Sequence, residues 1–337
     1  MHRSRVTKGL GAVAVTALLG GLAVTVAGPA SAVTINVTNT NNTGPGSLRQ
    51  AILDTDTNVG PDTIVVQAGL GTITVDSSLV WNDDSVTIEG NDVTVDFGGS
   101  SRGFVDNSGE GVEIDSMTIM GVTGSSGDDN APVVSEGGDV VVAKCTISGN
   151  DVTSSEGDVA GGVLSEGGAV TVNACTITGN AAHGSADGAG GVLSEGGAVN
   201  VSNSTISGNT VDAPGDTGGG VGSEGGNLII TGSHISCNTG TSDGGDAAGG
   251  ILNEGGGSFT IRTSDILGNR ATTTGDGVAV NSIRSVPAGA VISGSTVSDD
   301  ASSCAVPATT TTTAPATTTT AAAAAAQAVA TQPAFTG

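Results

Sequence analysis

Aromatic residues are scarce in this chain of 337 residues, which has one Trp, four Phe and no Tyr. Because aromatic side chains normally supply much of the buried area of a protein, this scarcity excludes an ordinary globular core and predicts a thin, aliphatic interior. A hydrophobic share of 36% and a mean hydropathy of +0.15 still exceed what a charge-dominated disordered chain would show. We therefore expect most of the length to be ordered.

Basic residues are also scarce in this chain. Nine Lys and Arg stand against 33 Asp and Glu, which gives a formal net charge of -24. Phosphate binding needs a basic footprint, so this balance excludes a nucleic-acid partner.

Residues 1–32 have the three parts of a secretory signal peptide. Arg3, Arg5 and Lys8 form a charged start, an apolar stretch follows, and Ala30-Ser31-Ala32 is a small-residue cleavage pattern. We expect this segment to be removed, the protein to be exported, and no lipid-embedded part to remain in the sequence given.

Residues 305–337 consist mainly of Thr, Ala and Pro, a composition typical of an extended, disordered stalk. The segment ends in Pro333-Ala334-Phe335-Thr336-Gly337, which resembles the pentapeptide that sortases read when they join a protein to a Gram-positive cell wall; Pro333 stands where that family has Leu. In this interpretation Thr336 and Gly337 belong to a truncated sorting signal, and the protein is anchored to a cell wall. The alternative is a released protein with a flexible tail.

Between these ends two phrases recur with one period. The central aliphatic residue of Ser/Cys-Thr-Ile-Ser/Thr-Gly-Asn and the Glu of Ser-Glu-Gly-Gly both return every 28 to 31 residues. The aliphatic positions are Ile88, Ile119, Ile147, Ile177, Ile206, Ile235, Ile266 and Val297, and the Glu positions are Glu136, Glu166, Glu195, Glu224 and Glu254. Two independent markers in one register indicate a repeat array.

Each repeat contains short runs that alternate apolar and polar residues, such as Ala169–Val172, separated by Gly and Asn turns. This pattern indicates strands, and no helix-length periodic segment appears inside the array. Two or three strands per unit of about 30 residues predict one coil of a parallel β-helix. We expect an all-β, single-stranded, right-handed parallel β-helix of about eight coils over residues 63–304, preceded by an N-terminal cap over residues 33–62.

The cap is predicted to contain one short helix. Ser47 is a suitable N-cap, and apolar residues follow at Leu48, Ala51 and Ile52 on one helical face. A helix placed here would cover the open first coil.

The blocks Gly44–Ile52 and Gly60–Ile64 resemble the N-terminal cap of secreted bacterial β-helix proteins of the pectin-lyase-like superfamily, including those described as polymorphic-membrane-protein-like. The resemblance implies a right-handed β-helix in a secreted or surface protein. It implies no activity, because this superfamily includes enzymes and non-catalytic surface proteins.

Asparagine recurs directly after the Gly of the repeat. Stacked side-chain amides can hydrogen-bond from coil to coil, so we expect a structural ladder. Its members are Asn150, Asn180, Asn209, Asn238 and Asn269.

Two carboxylate columns are predicted along the solenoid, with each Asp eight residues ahead of a Glu. The pairs are Asp158 with Glu166, Asp187 with Glu195, Asp216 with Glu224 and Asp246 with Glu254, and Asp276 continues the Asp column. Hard cations such as Ca²⁺ take several oxygen ligands, which makes these residues candidate calcium ligands. The alternative is a solvated acidic face with no cofactor.

The four cysteines are disulfide candidates in an exported chain. Cys145 and Cys175 occupy equivalent positions in adjacent coils and are within bridging range, with two stacked buried thiols as the alternative. A bond between Cys237 and Cys304 would fix the last residues back onto the solenoid.

The sequence is compatible with three functions. We favour a non-enzymatic, monomeric surface rod for adhesion or cell-envelope structure, whose partner is a cell wall, an extracellular polysaccharide or a protein. A polysaccharide-binding or polysaccharide-degrading protein is the alternative; no catalytic residue is assigned, since the basic residues are spread out and Trp81 is the sole large platform for a sugar. A flat Thr-lined ligand face, including one for ice, is the weakest of the three.

Overall fold

The structure, a computed structural model, describes residues 32–274, residues 277–300 and residue 304. The predicted signal peptide, apart from its last residue, lies outside the described residues. The predicted stalk and the sorting-signal residues Thr336 and Gly337 lie outside them as well.

The described chain contains one helix, α1 (Leu48–Thr55), among short strands. The strands before the regular repeats are β1 (Thr34–Val37), β2 (Asp62–Val66), β3 (Thr72–Thr74), β4 (Leu79–Trp81), β5 (Val86–Asp96), β6 (Phe104–Asp106), β7 (Val112–Met120) and β8 (Ser125–Ser126). The next are β9 (Val133–Ser135), β10 (Val140–Ala143), β11 (Thr146–Ser148), β12 (Asp151–Ser154), β13 (Val159–Ala160), β14 (Val163–Ser165), β15 (Val170–Asn173), β16 (Thr176–Thr178), β17 (Ala181–His183), β18 (Gly188–Ala189), β19 (Val192–Ser194), β20 (Val199–Ser202), β21 (Thr205–Ser207) and β22 (Thr210–Ala213). The last are β23 (Thr217–Gly218), β24 (Val221–Ser223), β25 (Leu228–Thr231), β26 (His234–Ser236), β27 (Thr239–Ser242), β28 (Ala247–Ala248), β29 (Ile251–Asn253), β30 (Phe259–Arg262), β31 (Asp265–Leu267), β32 (Arg270–Thr273), β33 (Ala279–Val280), β34 (Ile283–Arg284), β35 (Val291–Ser293) and β36 (Thr296–Ser298).

These strands form four parallel sheets that run along a solenoid axis. In a regular coil the chain passes through two strands of sheet I, such as β10 and β11, then one strand each of sheet II, sheet III and sheet IV, such as β12, β13 and β14. Each strand then pairs with its counterpart about 30 residues later, as Val140 does with Val170. The predicted all-β class and right-handed parallel β-helix are confirmed.

The solenoid has about nine turns rather than the eight that we expected. The additional turn begins inside the predicted cap, because β1 pairs in parallel with β2, with Ile35 opposite Ile64. The predicted capping helix is present. Ser47 accepts a hydrogen bond from the Gln50 backbone N–H at 3.2 Å, and Leu48, Ala51 and Ile52 are buried against the first turns.

The interior consists of columns of aliphatic side chains in register. Ile147, Ile177 and Ile206 stack in successive strands of sheet I and are fully buried. Burial of Leu, Ile or Val stabilises a fold by about 1.5–3 kcal/mol per side chain. Parallel stacking therefore provides a continuous core without large aromatic residues.

One buried column is polar. The Asn150 backbone N–H and its Nδ2 donate to Asn180 Oδ1 at 3.2 and 3.0 Å, and Asn180 makes the same two bonds to Asn209. Asn180 Nδ2 also donates to the Ile147 carbonyl. The pattern continues through Asn238 to Asn269, so the amides satisfy the backbone at the bend between sheets I and II.

Replacing a central member of this ladder tests its contribution. Asn180→Ala leaves the Asn150 donors and the Ile147 carbonyl buried without their partner, which should lower the free energy of unfolding by about 3 kcal/mol. The matched control is Asn200→Ala, because Asn200 is only half-buried in β20 and makes no side-chain hydrogen bond to a described residue. Urea denaturation of both variants measures the difference. Equal stability of the two would contradict a structural role for the ladder.

Candidate functional site

The carboxylate columns lie on either side of the bend between sheets III and IV. In one turn Asp158 directly precedes β13, and Glu166 directly follows β14. Between them Ala160 and Leu164 belong to a small apolar cluster that is separate from the main core and fully buried. The carboxylates therefore border an apolar bend.

The Asp column is held by backbone hydrogen bonds. The Asp158 N–H donates to Asp129 Oδ1 at 2.6 Å, and the Asp187 N–H donates to Asp158 Oδ1 at 2.7 Å. Asp216 and Asp246 repeat the contact at 2.6 Å each. Each carboxylate thus accepts an N–H from the next turn, which makes the column part of the fold and not only a solvated face.

The Glu column approaches the Asp column with an offset of one turn. Carboxylate oxygens of Glu195, Asp158 and Asp129 lie within 4.8 Å of one another, and Glu166 likewise lies beside Asp129, so each Glu reaches the Asp of the preceding turn. The sequence spacing had paired each Glu with the Asp eight residues earlier. Glu254 lies within 4.8 Å of Asp216 in the preceding turn and also of Asp246, the residue eight positions earlier with which the sequence paired it.

Burial raises the pKa of these glutamates. Desolvation is the largest cause for Glu166, Glu195, Glu224 and Glu254, and neighbouring Asp charges add to it. For Glu224 the pKa rises to about 8. A raised pKa favours the protonated form of these carboxyls, and a protonated Glu can donate a hydrogen bond to an ionised Asp.

Two atoms in the Glu column have no hydrogen-bond partner in the described structure. Glu195 Oε1 and Glu224 Oε1 are buried and unpaired. Each column contacts one guanidinium group. Arg102 lies 3.7 Å from Glu136 in the Glu column, and Arg284 forms an ion pair with Asp246 in the Asp column.

The structure brings the candidate cation ligands into two groups. Three carboxylates meet within 4.8 Å in each group; the groups are Asp129, Asp158 and Glu195, and Asp216, Asp246 and Glu254. Ca²⁺ takes six to eight oxygen ligands, so either group would supply only part of its shell and solvent the rest. These residues fit a weakly held calcium ion, which would have to displace the proton on the Glu.

Sequence reasoning missed three members of this arrangement. Asp129 precedes Asp158 by the same 29-residue step and could have been found by extending the period. Arg102 and Arg284 belong to no repeated phrase, so their position at the two ends became visible only in the structure. Asp276, which we expected in the column, lies outside the described residues.

The cysteines fall into one bonded pair and two free thiols. Cys237 and Cys304 form a disulfide with a Cα–Cα distance of 5.3 Å. Cys237 has φ of 60°, at the position where other turns have a left-handed Gly such as Gly208. Cys145 and Cys175 are free and buried, which corresponds to the stacked-thiol alternative. The hydrogen bond with Cys175 and burial raise the pKa of the Cys145 thiol.

Sugar-binding features are weak in the described structure. Trp81, which the sequence offered as a stacking platform, is 0% exposed and belongs to the core. The prediction that Trp81 is a stacking platform was wrong. Trp81 lies two positions after the buried Leu79 in β4, so both side chains point to the same inward face. Phe97, Phe104 and Phe259 are buried as well, so no described aromatic side chain faces solvent.

One polar hollow lies on the outer face of sheet I, with a volume of about 320 Å³. Its lining includes Glu89, Glu113, Asp115 and Lys144. Lys144 Nζ contacts Asp115 Oδ2 at 3.0 Å. The Ser116 hydroxyl first, and Lys144 second, hold the pKa of Asp115 below its usual range. The hollow therefore contains an ion pair on an outer sheet face.

Comparison with known proteins agrees with the fold. A family model described as a right handed beta helix region matches residues 73–219, somewhat less than half of the chain. No curated protein and no solved structure matches the chain significantly. The match and the sheet topology together define the class as a right-handed parallel β-helix protein. This class includes pectate lyase-like enzymes as well as proteins that are not enzymes.

The raised glutamate pKa values predict that the fold loses stability as pH increases. A group whose pKa is higher in the folded than in the unfolded state stabilises the fold below its unfolded value and loses that contribution as pH rises through the folded value. For Glu224 this window runs from 4.5 to about 8. The melting temperature should therefore fall between about pH 5 and pH 9, and Glu195→Gln should reduce the slope.

Glu156→Gln is the control for this experiment, because Glu156 lies exposed in a turn outside the two columns. It should leave the slope unchanged. A melting temperature that stays constant or increases between about pH 5 and pH 9 would show that the glutamates are not protonated in the folded protein.

Calcium should compete with the protons in the two groups. At about pH 8, millimolar calcium should raise the melting temperature, and at about pH 5 the increase should be much smaller because the Glu ligands stay protonated. Glu195→Gln removes one ligand of one group and should reduce the increase, while Glu156→Gln should not. If neither calcium nor a chelator changes the melting temperature of the wild-type protein, the groups hold no calcium.

Proposed function

We propose that this protein is a non-enzymatic extracellular rod that serves adhesion or cell-envelope structure. The observation that carries the proposal is the repetition of one lateral surface in turn after turn. The turns between sheets II and III, at residues 155–158, 184–187, 214–216 and 243–246, stack in line and are at least partly exposed.

A stacked solenoid suits this function because each turn buries its apolar side on its neighbours and leaves its turns free to vary. The repeated turns contain small and acidic residues such as Ser155, Glu156 and Asp158. A ligand that recognises them would contact the same types of residue about every 4.8 Å along the axis. Weak contacts repeated in this way add up through multivalency.

Export and surface location rest on the sequence. The three-part signal over residues 1–32 supports export, and the Thr/Ala/Pro composition of residues 305–337 supports display at a distance from an anchor. No helix of the described residues is long and apolar enough to cross a membrane.

A polysaccharide-degrading enzyme is the second candidate, and the Glu–Asp contacts favour it. A protonated Glu195 beside Asp158 resembles a general acid next to a carboxylate, and raised pKa values often mark catalytic groups. Against catalysis, the same contact recurs at Glu166 and Glu254, and the hydrogen bonds of the Asp column explain it structurally.

Two measurements separate these functions. Incubation with a panel of acidic and neutral polysaccharides should produce no new reducing or unsaturated ends, and antibody or protease access on intact cells of the source should place the rod outside the envelope. New chain ends that disappear in Glu195→Gln but not in Glu156→Gln would establish the enzyme. Protection of the rod in intact cells would contradict a surface function.

A further inference from the structure

The two ends of the solenoid differ. At the N-terminal end α1 packs against β1, β2 and β4 and covers the first turns. At the C-terminal end the last strands of sheet I, β35 and β36, have a neighbour on one side only within the described chain. Their outer edge carries the unpaired backbone groups of Val291–Ser293 and Thr296–Ser298.

Core positions are exposed at this open end. Ile292 and Val297 continue the columns of Ile261 and Ile266, which are buried at 0% exposure in the turn before. In the last turn the same positions are 44% and 42% exposed. They line a hollow of about 390 Å³, together with Val280, Ile283 and Val286, at the place where a further turn would contribute its interior side chains.

The acidic residues that are abundant along the rod are scarce at this end. Residues 279–298 contain Arg284 and no acidic residue, in a chain with 33 Asp and Glu. Val286 follows Ser285 where earlier turns have the Glu of Ser-Glu-Gly-Gly. Side-by-side contact of two rods would bring the carboxylate columns together, whereas contact at this end would bring together few acidic residues. These are Asp299, which lines the hollow and accepts a hydrogen bond from Ser282, and Asp300 beside it.

The chain leaves this end toward the middle of the rod. By residue 304 it is joined to Cys237, which lies just after β26, two turns back from β36 in the stack β26, β31 and β36. Of the described residues that follow β36, Asp299 lines the hollow beside Ile292 and Val297, yet these two side chains remain 44% and 42% exposed. An edge with unpaired backbone and no charged, Pro or bulge residue in its strands is an open template for another strand.

We propose that the C-terminal end of the solenoid is a self-association surface on which a second copy of this chain docks end to end. A two-fold axis brings β35 and β36 of the two copies together as antiparallel strands and packs Ile292 and Val297 against their counterparts. The N-terminal cap prevents addition of a further copy at the opposite end, so the association closes at two chains. This proposal replaces the monomer expected from the sequence.

Molar mass and shape test the proposal on the full secreted chain. Light scattering after gel filtration should show twice the chain mass at high concentration and a return toward one chain on dilution. Small-angle scattering should show that the maximum dimension increases on association while the cross-section stays the same. A single chain mass at every concentration, or a dimer of greater cross-section, would overturn the proposal.

Charged residues at the open end should prevent association. Ile292→Lys combined with Val297→Lys should raise the dissociation constant at least tenfold. The matched control is Ile229→Lys, because Ile229 is 37% exposed on the outer side of β25 and away from the end. Circular dichroism and melting of both variants establish that the rod remains folded. A dimer that survives the double substitution and is lost with Ile229→Lys would place the contact on the side of the rod.

Two further measurements do not depend on the substitutions. Hydrogen exchange of the wild-type protein should slow at residues 291–298 when concentration increases, and unchanged exchange in a dimeric sample would overturn the proposal. Removal of residues 305–337 should leave the dimer intact. If the full chain is monomeric and the shortened chain dimerises, the covering partner is that segment and not a second copy.

Discussion

The parallel register of successive turns is the constraint on which the rest of this structure depends. Each residue lies about one strand spacing from its counterpart in the next turn, so the sequence must place chemically self-compatible residues in every column. Ile147 on Ile177 satisfies this by apolar contact. Asn180 on Asn209 satisfies it because an amide is both donor and acceptor. The repeated phrases are therefore a direct consequence of stacking.

Carboxylates are the difficult case, because an ionised carboxylate only accepts hydrogen bonds. The chain resolves this in two ways. Asp158 accepts the backbone N–H of Asp187, so the column alternates acceptor and backbone donor. Glu195 lies beside Asp158, and burial raises the pKa of the Glu195 carboxyl, which favours a protonated form that can donate a hydrogen bond to Asp158. The Asp column, whose members would repel in isolation, becomes part of the backbone hydrogen-bond network. Arg102 pairs with Glu136 of the Glu column, and Arg284 pairs with Asp246 of the Asp column.

The period, the strands, the capping helix and the class of fold could be predicted from the sequence, because stacking repeats every local feature. The Glu column could be located, and Glu254 does meet Asp246 as paired from the sequence, but the partners of other members could not be predicted. Sequence separation pairs Glu166 with Asp158, whereas the offset between turns pairs it with Asp129. Trp81 could not be placed, because an irregular early turn has no repeat to show which face is inward. The function of the outer surface could not be derived from the period at all, since the period reports burial and not recognition.

The bond between Cys237 and Cys304 also determines how this rod responds to tension. A pull on the chain beyond residue 304 passes through the sulfur atoms into the turn that contains Cys237, and residues 238–303, between the two cysteines, lie outside the path of the force. The last strands are therefore not peeled from the open edge one hydrogen bond at a time. The pull acts instead on a turn whose strands, such as β26, have paired neighbours on both sides.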